Sequence, residues 1–192
     1  MQRFAFKPAL LRGERVFELD EVGLTEPEAD LHIAWADVKA AAFVDLTARG
    51  MRIRRLDLTP RGGGEKLQIS VTTGDASPPV DPDAIAFLRM ASTALERLED
   101  AQPGFEVTFG EYGTARILMF AVGVLSVIGA LGILLVAAIA GISSDRWLAG
   151  IVPMLLLLGF GGVIMVNYAP WVKPPKMPAR VMAKALRLLV DG

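Results

Sequence analysis

Cysteine is absent from this 192-residue sequence, and histidine occurs once, at His32. The first absence excludes disulfides, thiolate catalysis and every cysteine-ligated zinc, iron–sulfur or haem-attachment site. The second leaves a histidine base one candidate, and no Gly-x-Ser-x-Gly elbow supplies a serine nucleophile for it. Strand alternation puts His32 on the outer face, as an ordinary surface histidine. Carboxylates are plentiful, but no spacing pairs two of them for general acid–base work. The segment Arg61-Gly-Gly-Gly-Glu-Lys66 evokes a phosphate loop, yet it lacks the G-x-x-x-x-G-K-[ST] spacing and joins two strands. No catalytic residue, cofactor site or metal site is expected.

No signal peptide is expected in MQRFAFKPALLRGER, which contains no apolar run of the needed length before charges return. The N-terminal part is therefore expected to stay in the cytoplasm. Charge of one sign is not in excess, with a net charge of −1, but its distribution is uneven. Residues 1–110 carry 13 Lys/Arg against 18 Asp/Glu, giving −5, and residues 111–192 carry 7 against 3, giving +4. An acidic N-terminal part argues against nucleic acid as a partner, which needs a concentrated basic footprint.

Hydrophobic residues make up 53% of the chain while 21% are charged, so the apolar residues must be segregated. They lie in two runs. ILMFAVGVLSVIGALGILLVAAIAG (117–141) has Ser126 as its one polar side chain, and LAGIVPMLLLLGFGGVIMV (148–166) has no charge. About 20 helical residues cross a hydrocarbon core of roughly 30 Å. The sequence thus predicts a transmembrane hairpin over 116–168, its antiparallel helices joined by the short loop Ile142–Trp147. Neither run carries an ionisable residue, so an ion path through them is not expected. Pro153 is expected to kink the second helix. Ser126, Ala130, Gly159, Gly161 and Gly162 are small enough for close helix packing, within the hairpin or against another membrane protein. Trp147, Tyr168 and Trp171 suit the interfaces. Arg116 before the first helix, and Lys173, Lys176, Arg180, Lys184 and Arg187 after the second, place both termini in the cytoplasm by the positive-inside rule. Arginine outnumbers lysine 14 to 6, a hint of a GC-rich bacterial genome and hence of an inner membrane.

Residues 1–101 read as an α+β domain. Strands are expected around 16–19 and 31–36 and over 40–47, 51–58 and 65–72, with hairpin turns at Arg49–Gly50 and 60–64. In MRIRRLDL the apolar period slips between Ile53 and Leu56, as a β-bulge would produce. Asp81 as N-cap, Pro82 at the first helical position and Asp83 beside it begin a helix over 82–99. Residues 102–115, with Pro103, Gly104, Gly110 and Gly113, form a linker. Residues 169–192 form a basic tail whose helix, with Val181, Ala185, Leu188 and Leu189 on one side, would lie in the headgroup plane or dock on the soluble domain.

The stretch FELDEVGL, a turn, then HIAWADV resembles the pleckstrin-homology-like domains of bacterial membrane proteins, on Gly23, Leu24, Trp35, Asp37 and Val38. About half the chain is covered. The resemblance implies a partly open antiparallel barrel closed by a C-terminal helix, serving as a scaffold for protein or lipid contact and without catalysis. Many such relatives place the hairpin ahead of the sheet; here it follows the helix. Arg49, Arg52, Arg54, Arg55, Arg61 and Lys66 form a basic cluster that could meet an anionic lipid headgroup or an acidic protein segment, or else be a solvated sheet face balanced by Asp45, Asp57 and Glu65. The expected role is a non-catalytic membrane-anchored adaptor with a protein partner, for instance as an accessory component of a larger membrane complex, and the alternative is a sensor of anionic lipid.

Overall fold

The computed structural model describes residues 1–63, 66–74, 80–110, 114–140, 144–172 and 174–191, with the backbone alone at 114–115 and 144–149. The chain is α+β and divides into two compact units, Met1–Gly110 with Pro174–Gly192, and Glu111–Lys173.

The first unit opens with an antiparallel meander of β1 (Gln2–Phe6), β2 (Arg15–Leu19), β3 (Gly23–Glu26) and β4 (Leu31–Ala34). Alternation along β2 buries Phe17 and Leu19. The turn after it is held by the Asp20 carboxylate, whose Oδ1 accepts from the backbone N–H of Val22 and Gly23 at 2.8 Å each. Trp35 does not extend β4 but begins a short 3-10 turn, Trp35–Asp37. Its ring is fully buried, and its indole N–H donates to the Asp20 carbonyl at 3.0 Å. A buried indole needs such a partner, so Trp35 locks the Asp20–Gly23 corner to the core.

A second meander follows: β5 (Val38–Ala48), β6 (Met51–Pro60) and β7 (Leu67–Gly74). Arg49 and Gly50 both have positive φ, the geometry of a two-residue hairpin turn that matches strand twist. The bulge expected between Ile53 and Leu56 does not occur. Pairing runs unbroken from Ile53↔Leu46 to Leu56↔Phe43, and the register shift lies at Val38/Ala40 instead. The apolar period slips because Arg54, on the same face as Leu56 and Leu58, is itself buried, at 1% exposure.

Helix α1 (Pro82–Ala101) starts as expected, with Asp81 Oδ1 accepting from Asp83 N at 2.8 Å. Its buried face includes Phe87, Leu88, Ala91, Leu95 and Leu98. Phe87 meets Phe6 edge-on at 5.7 Å, and Phe6 stacks on Phe17 at 5.3 Å, which joins the helix to the first meander. Gln102 closes the far end of the helix by donating to the carbonyls of Trp35 and Val38 at 2.6 and 3.0 Å.

The expected linker contains a strand, β8 (Glu106–Phe109), which lies parallel to β5. After β8 come α2 (Thr114–Ile139) and α3 (Ser144–Asn167), and then β9 (Lys176–Pro178) pairs antiparallel with β8. The last helix, α4 (Ala179–Asp191), packs on α1. The first unit is therefore discontinuous in sequence: its boundary is not at residue 101, and residues 174–192 belong to it. Ala179, Met182, Ala183 and Leu186 are buried with the core. The apolar side read from sequence differs, since Val181 and Leu188 are exposed. Two alanines at the contact let α4 approach closely, and their low hydrophobicity hid that face.

Candidate functional site

The second unit is the α2–α3 pair. At about 1.5 Å per residue, 26 and 24 residues make helices of about 39 and 36 Å. Arg116–Ile139 and Gly150–Asn167 have mean hydropathies of 2.7 and 2.0, and their most apolar windows are 17% and 6% buried. Both are long and apolar enough to cross a membrane. A core helix of a soluble protein of that hydropathy would be mostly covered, and these are not. The helices extend past their expected ends: α2 begins at Thr114, and Ser144–Trp147 of the expected loop is helical. Ile142 lies outside the described residues.

One narrow stripe joins the pair. A Cβ on Gly123 would meet the Met165 backbone nitrogen at 2.7 Å, and one on Gly161 would meet Ser126 Cβ at 2.9 Å. Ala130 is fully buried. Ser126, Ala130 and Gly161 thus lie in the buried stripe, while Gly159 and Gly162 have open space where a Cβ would stand. Gly123 was not singled out from sequence; the spacing Gly123, Val127, Ala130, at i, i+4, i+7, carries that signal. Ser126 Oγ donates to the Val122 carbonyl at 2.9 Å, which satisfies its hydroxyl within the helix. Arg116 donates to the carbonyls of Asn167 and Ala169 at 3.3 Å each. A cation on the carbonyl end of a helix is favourable, so Arg116 caps α3 as well as flanking α2. Trp171 meets Phe120 edge-on at 5.6 Å.

In the first unit the six basic residues do not form one patch. Met51 and Pro60 bound a strand about 30 Å long, at about 3.3 Å per residue. Arg49 and Arg52 are near its first end and Arg61 is past the other, where it donates to Gln102. Arg52 holds Asp45 through two hydrogen bonds, 2.7 and 2.8 Å, and Arg54 Nε lies 3.7 Å from the same carboxylate. On the opposite face Asp57, fully buried, takes Arg55 at 2.9 Å and Lys66 at 2.7 Å. Four of the six cations are thus gathered by two aspartates. Asp45 and Asp57 are the balancing charges that the sequence suggests; Glu65 lies outside the described residues.

The basic tail is likewise turned toward the first unit. Lys176 pairs with Glu106 at 3.3 Å, Arg180 with Asp100 at 3.6 Å and Arg187 with Glu96. Lys184 is exposed, and Lys173 lies outside the described residues. Among titratable groups Asp20 is shifted: backbone hydrogen bonds from Gly23 and then Val22 hold its carboxyl below the ordinary value of 3.8. His32 is exposed and shares a 2.9 Å hydrogen bond with the Thr25 hydroxyl. Among the described residues, no group of three or more His, Cys, Asp or Glu side chains is placed to hold a metal.

The class these features define is an α+β domain interrupted by an apolar helical hairpin. No protein-family model matches the chain, and no curated protein matches its sequence.

Proposed function

We propose that this protein is a membrane-anchored interaction module without catalytic activity, in which the α2–α3 hairpin spans a bilayer and the discontinuous α+β unit presents a binding surface beside it. The observation that carries this reading is the combination of length, hydropathy and low burial in α2 and α3. Pairing of β8 with β9 supports both flanks of the hairpin lying on one side of the membrane. With Arg116 and the basic residues after α3 on those flanks, that side is the cytoplasm, at a bacterial inner membrane. Two meanders closed by α1 support the likeness to pleckstrin-homology-like domains, whose use as scaffolds fits an adaptor. The anionic-lipid reading of the Arg49–Lys66 cluster is the weaker one, because Asp45 and Asp57 hold Arg52, Arg54, Arg55 and Lys66.

Affinity purification of the full chain in mild detergent, with covalent cross-linking beforehand, is the test. A stoichiometric protein partner lost on mutation of the α+β surface is expected. Recovery of this chain alone across growth conditions would sink the adaptor reading.

A further inference from the structure

Strand register fixes which loops share an end of the first unit with the chain's departure toward α2. β5 runs toward the Arg49–Gly50 turn, and β8 is parallel to it, with Phe43 opposite Phe109. The chain therefore leaves at Gly110 heading toward that end, and β9, antiparallel to β8, returns from it. Gly74 pairs with Met51 at the same end. Thr72 N donates to the Pro8 carbonyl at 2.9 Å, and Lys7 N donates to Asp83 Oδ1 at 3.0 Å, which brings the β1–β2 loop and the start of α1 there as well.

That loop is built unusually. Arg12 N donates to the Ala9 carbonyl at 2.9 Å, closing a turn whose two central residues are Leu10 and Leu11. They are 95% and 100% exposed. Turn centres favour Gly, Asn, Asp, Ser and Pro, and one exposed leucine would need no explanation. Two adjacent ones at an apex are different, because they are flanked by the exposed cations Lys7 and Arg12, with Arg49 at the neighbouring turn. Apolar side chains ringed by snorkelling cations are the composition of a segment that sits at the headgroup and acyl boundary. Of the acids at this end, Asp45 is held by Arg52, and Asp81 and Asp83 accept backbone N–H groups; Glu14 and Glu28, beside the loop, remain exposed and line one cleft with Arg12 and Arg15.

We propose that this end of the first unit is a lipid-contacting face, and that the Leu10–Leu11 turn inserts into the surface of the bilayer that α2 and α3 cross. The proposal rests on the membrane-spanning reading of the hairpin. It differs from headgroup recognition by the basic cluster, since the contact is made chiefly by apolar side chains and requires no specific lipid.

The chain has no cysteine, so one introduced cysteine carries one nitroxide label without further changes. Full-length Leu10→Cys and Leu11→Cys, labelled in phospholipid nanodiscs, are compared with Lys39→Cys at the opposite end and with Leu125→Cys on the exposed face of α2. All four sites are exposed, so folding is not at risk, and circular dichroism checks it. The expected ratio of oxygen collisions to nickel-chelate collisions is highest at residue 125 and severalfold higher at 10 and 11 than at 39. A lipid-like ratio at 125 with ratios at 10 and 11 equal to that at 39 overturns the inference while leaving the hairpin in the membrane. A water-like ratio at 125 overturns the membrane reading, and the inference with it.

Discussion

Leu186→Ala, set against Leu188→Ala, measures whether the last helix belongs to the α+β core. Leu186 is 2% exposed and packs with Met182 against α1, whereas Leu188, two residues on, is 66% exposed. Truncating a buried leucine removes three carbons, worth about 2.4 kcal/mol at about 0.8 per methylene, and the unfilled part of the cavity raises the cost to about 3 kcal/mol. The value stays near the low end of the usual range because α4, bounded by solvent on its outer side, can settle inward. Unfolding entropy of roughly 2.1 cal/mol/K per residue, over a unit of about 130 residues, turns 3 kcal/mol into a fall in Tm of about 11 °C. Leu188→Ala should cost less than about 0.5 kcal/mol. Thermal unfolding of the full chain in detergent, followed through the buried Trp35 with Trp147 and Trp171 replaced by Phe in every variant, gives the readout. Equal losses from the two variants, or none from either, would refute the docking of α4 and return the tail to a free amphipathic helix.

Gly161→Val should separate α2 from α3, while Gly159→Val should leave the spacing unchanged; spin-label distances across the pair read the difference, and a similar shift in both would refute the assigned stripe. Asp57→Ala removes a fully buried carboxylate from Arg55 and Lys66, which are both about a quarter exposed and can still reach water. A loss of about 3 kcal/mol in denaturant unfolding is expected, at the low end for a broken buried ion pair, and a neutral result would show that the pair does not hold β6 to β7. The depressed carboxyl of Asp20 contributes stability that is fully present above its unfolded value of 3.8 and is lost as pH falls through the lower folded value. Asp20→Asn should therefore be less stable than the parent at neutral pH, with the gap in urea midpoint closing at acid pH; a constant gap would mean the Val22 and Gly23 hydrogen bonds do not favour the charged form.

What could be read from sequence were the features with local causes. The Asp81–Pro82 start of α1 follows from capping chemistry, the Arg49–Gly50 turn from its residue types, and both apolar helices from length and composition. What escaped depends on distant partners. GFEVTFG alternates apolar and polar residues between two glycines, which is a strand pattern, but its pairing partners, Ala41–Phe43 and Lys176–Pro178, are separated from it by more than sixty residues on each side, so where that strand joins a sheet is not legible. The slip in MRIRRLDL is ambiguous for the same reason: a bulge and a buried Arg54 beside Asp45 write the same pattern, and the choice is made by the strand across the sheet. The face of α4 was misread because two of its buried residues are alanines, which carry little periodic signal but allow close helix contact. In the hairpin Gly161 was legible as a small residue, yet its partner Gly123 is fixed only by how the two helices align.

A chain interrupted between β8 and β9 cannot finish its α+β unit in order of synthesis. When β8 leaves the ribosome, β5 can bind it at once, but β9 and α4 are still to be made. The face of α1 that receives Met182 and Leu186 stays open until the hairpin has been completed. Closing that gap brings together segments more than sixty residues apart, the slow kind of contact. With the hairpin in a bilayer the span between them shrinks to the distance between two helix ends, and closure becomes local. A nascent chain whose second helix stalls short of crossing would strand residues 174–191 on the wrong side, with an unfinished core exposed to proteases. With the hairpin spanning a membrane as proposed, folding of the α+β unit would report on insertion, and a damaged hairpin should lower the amount of protein in the cell before it alters any binding event.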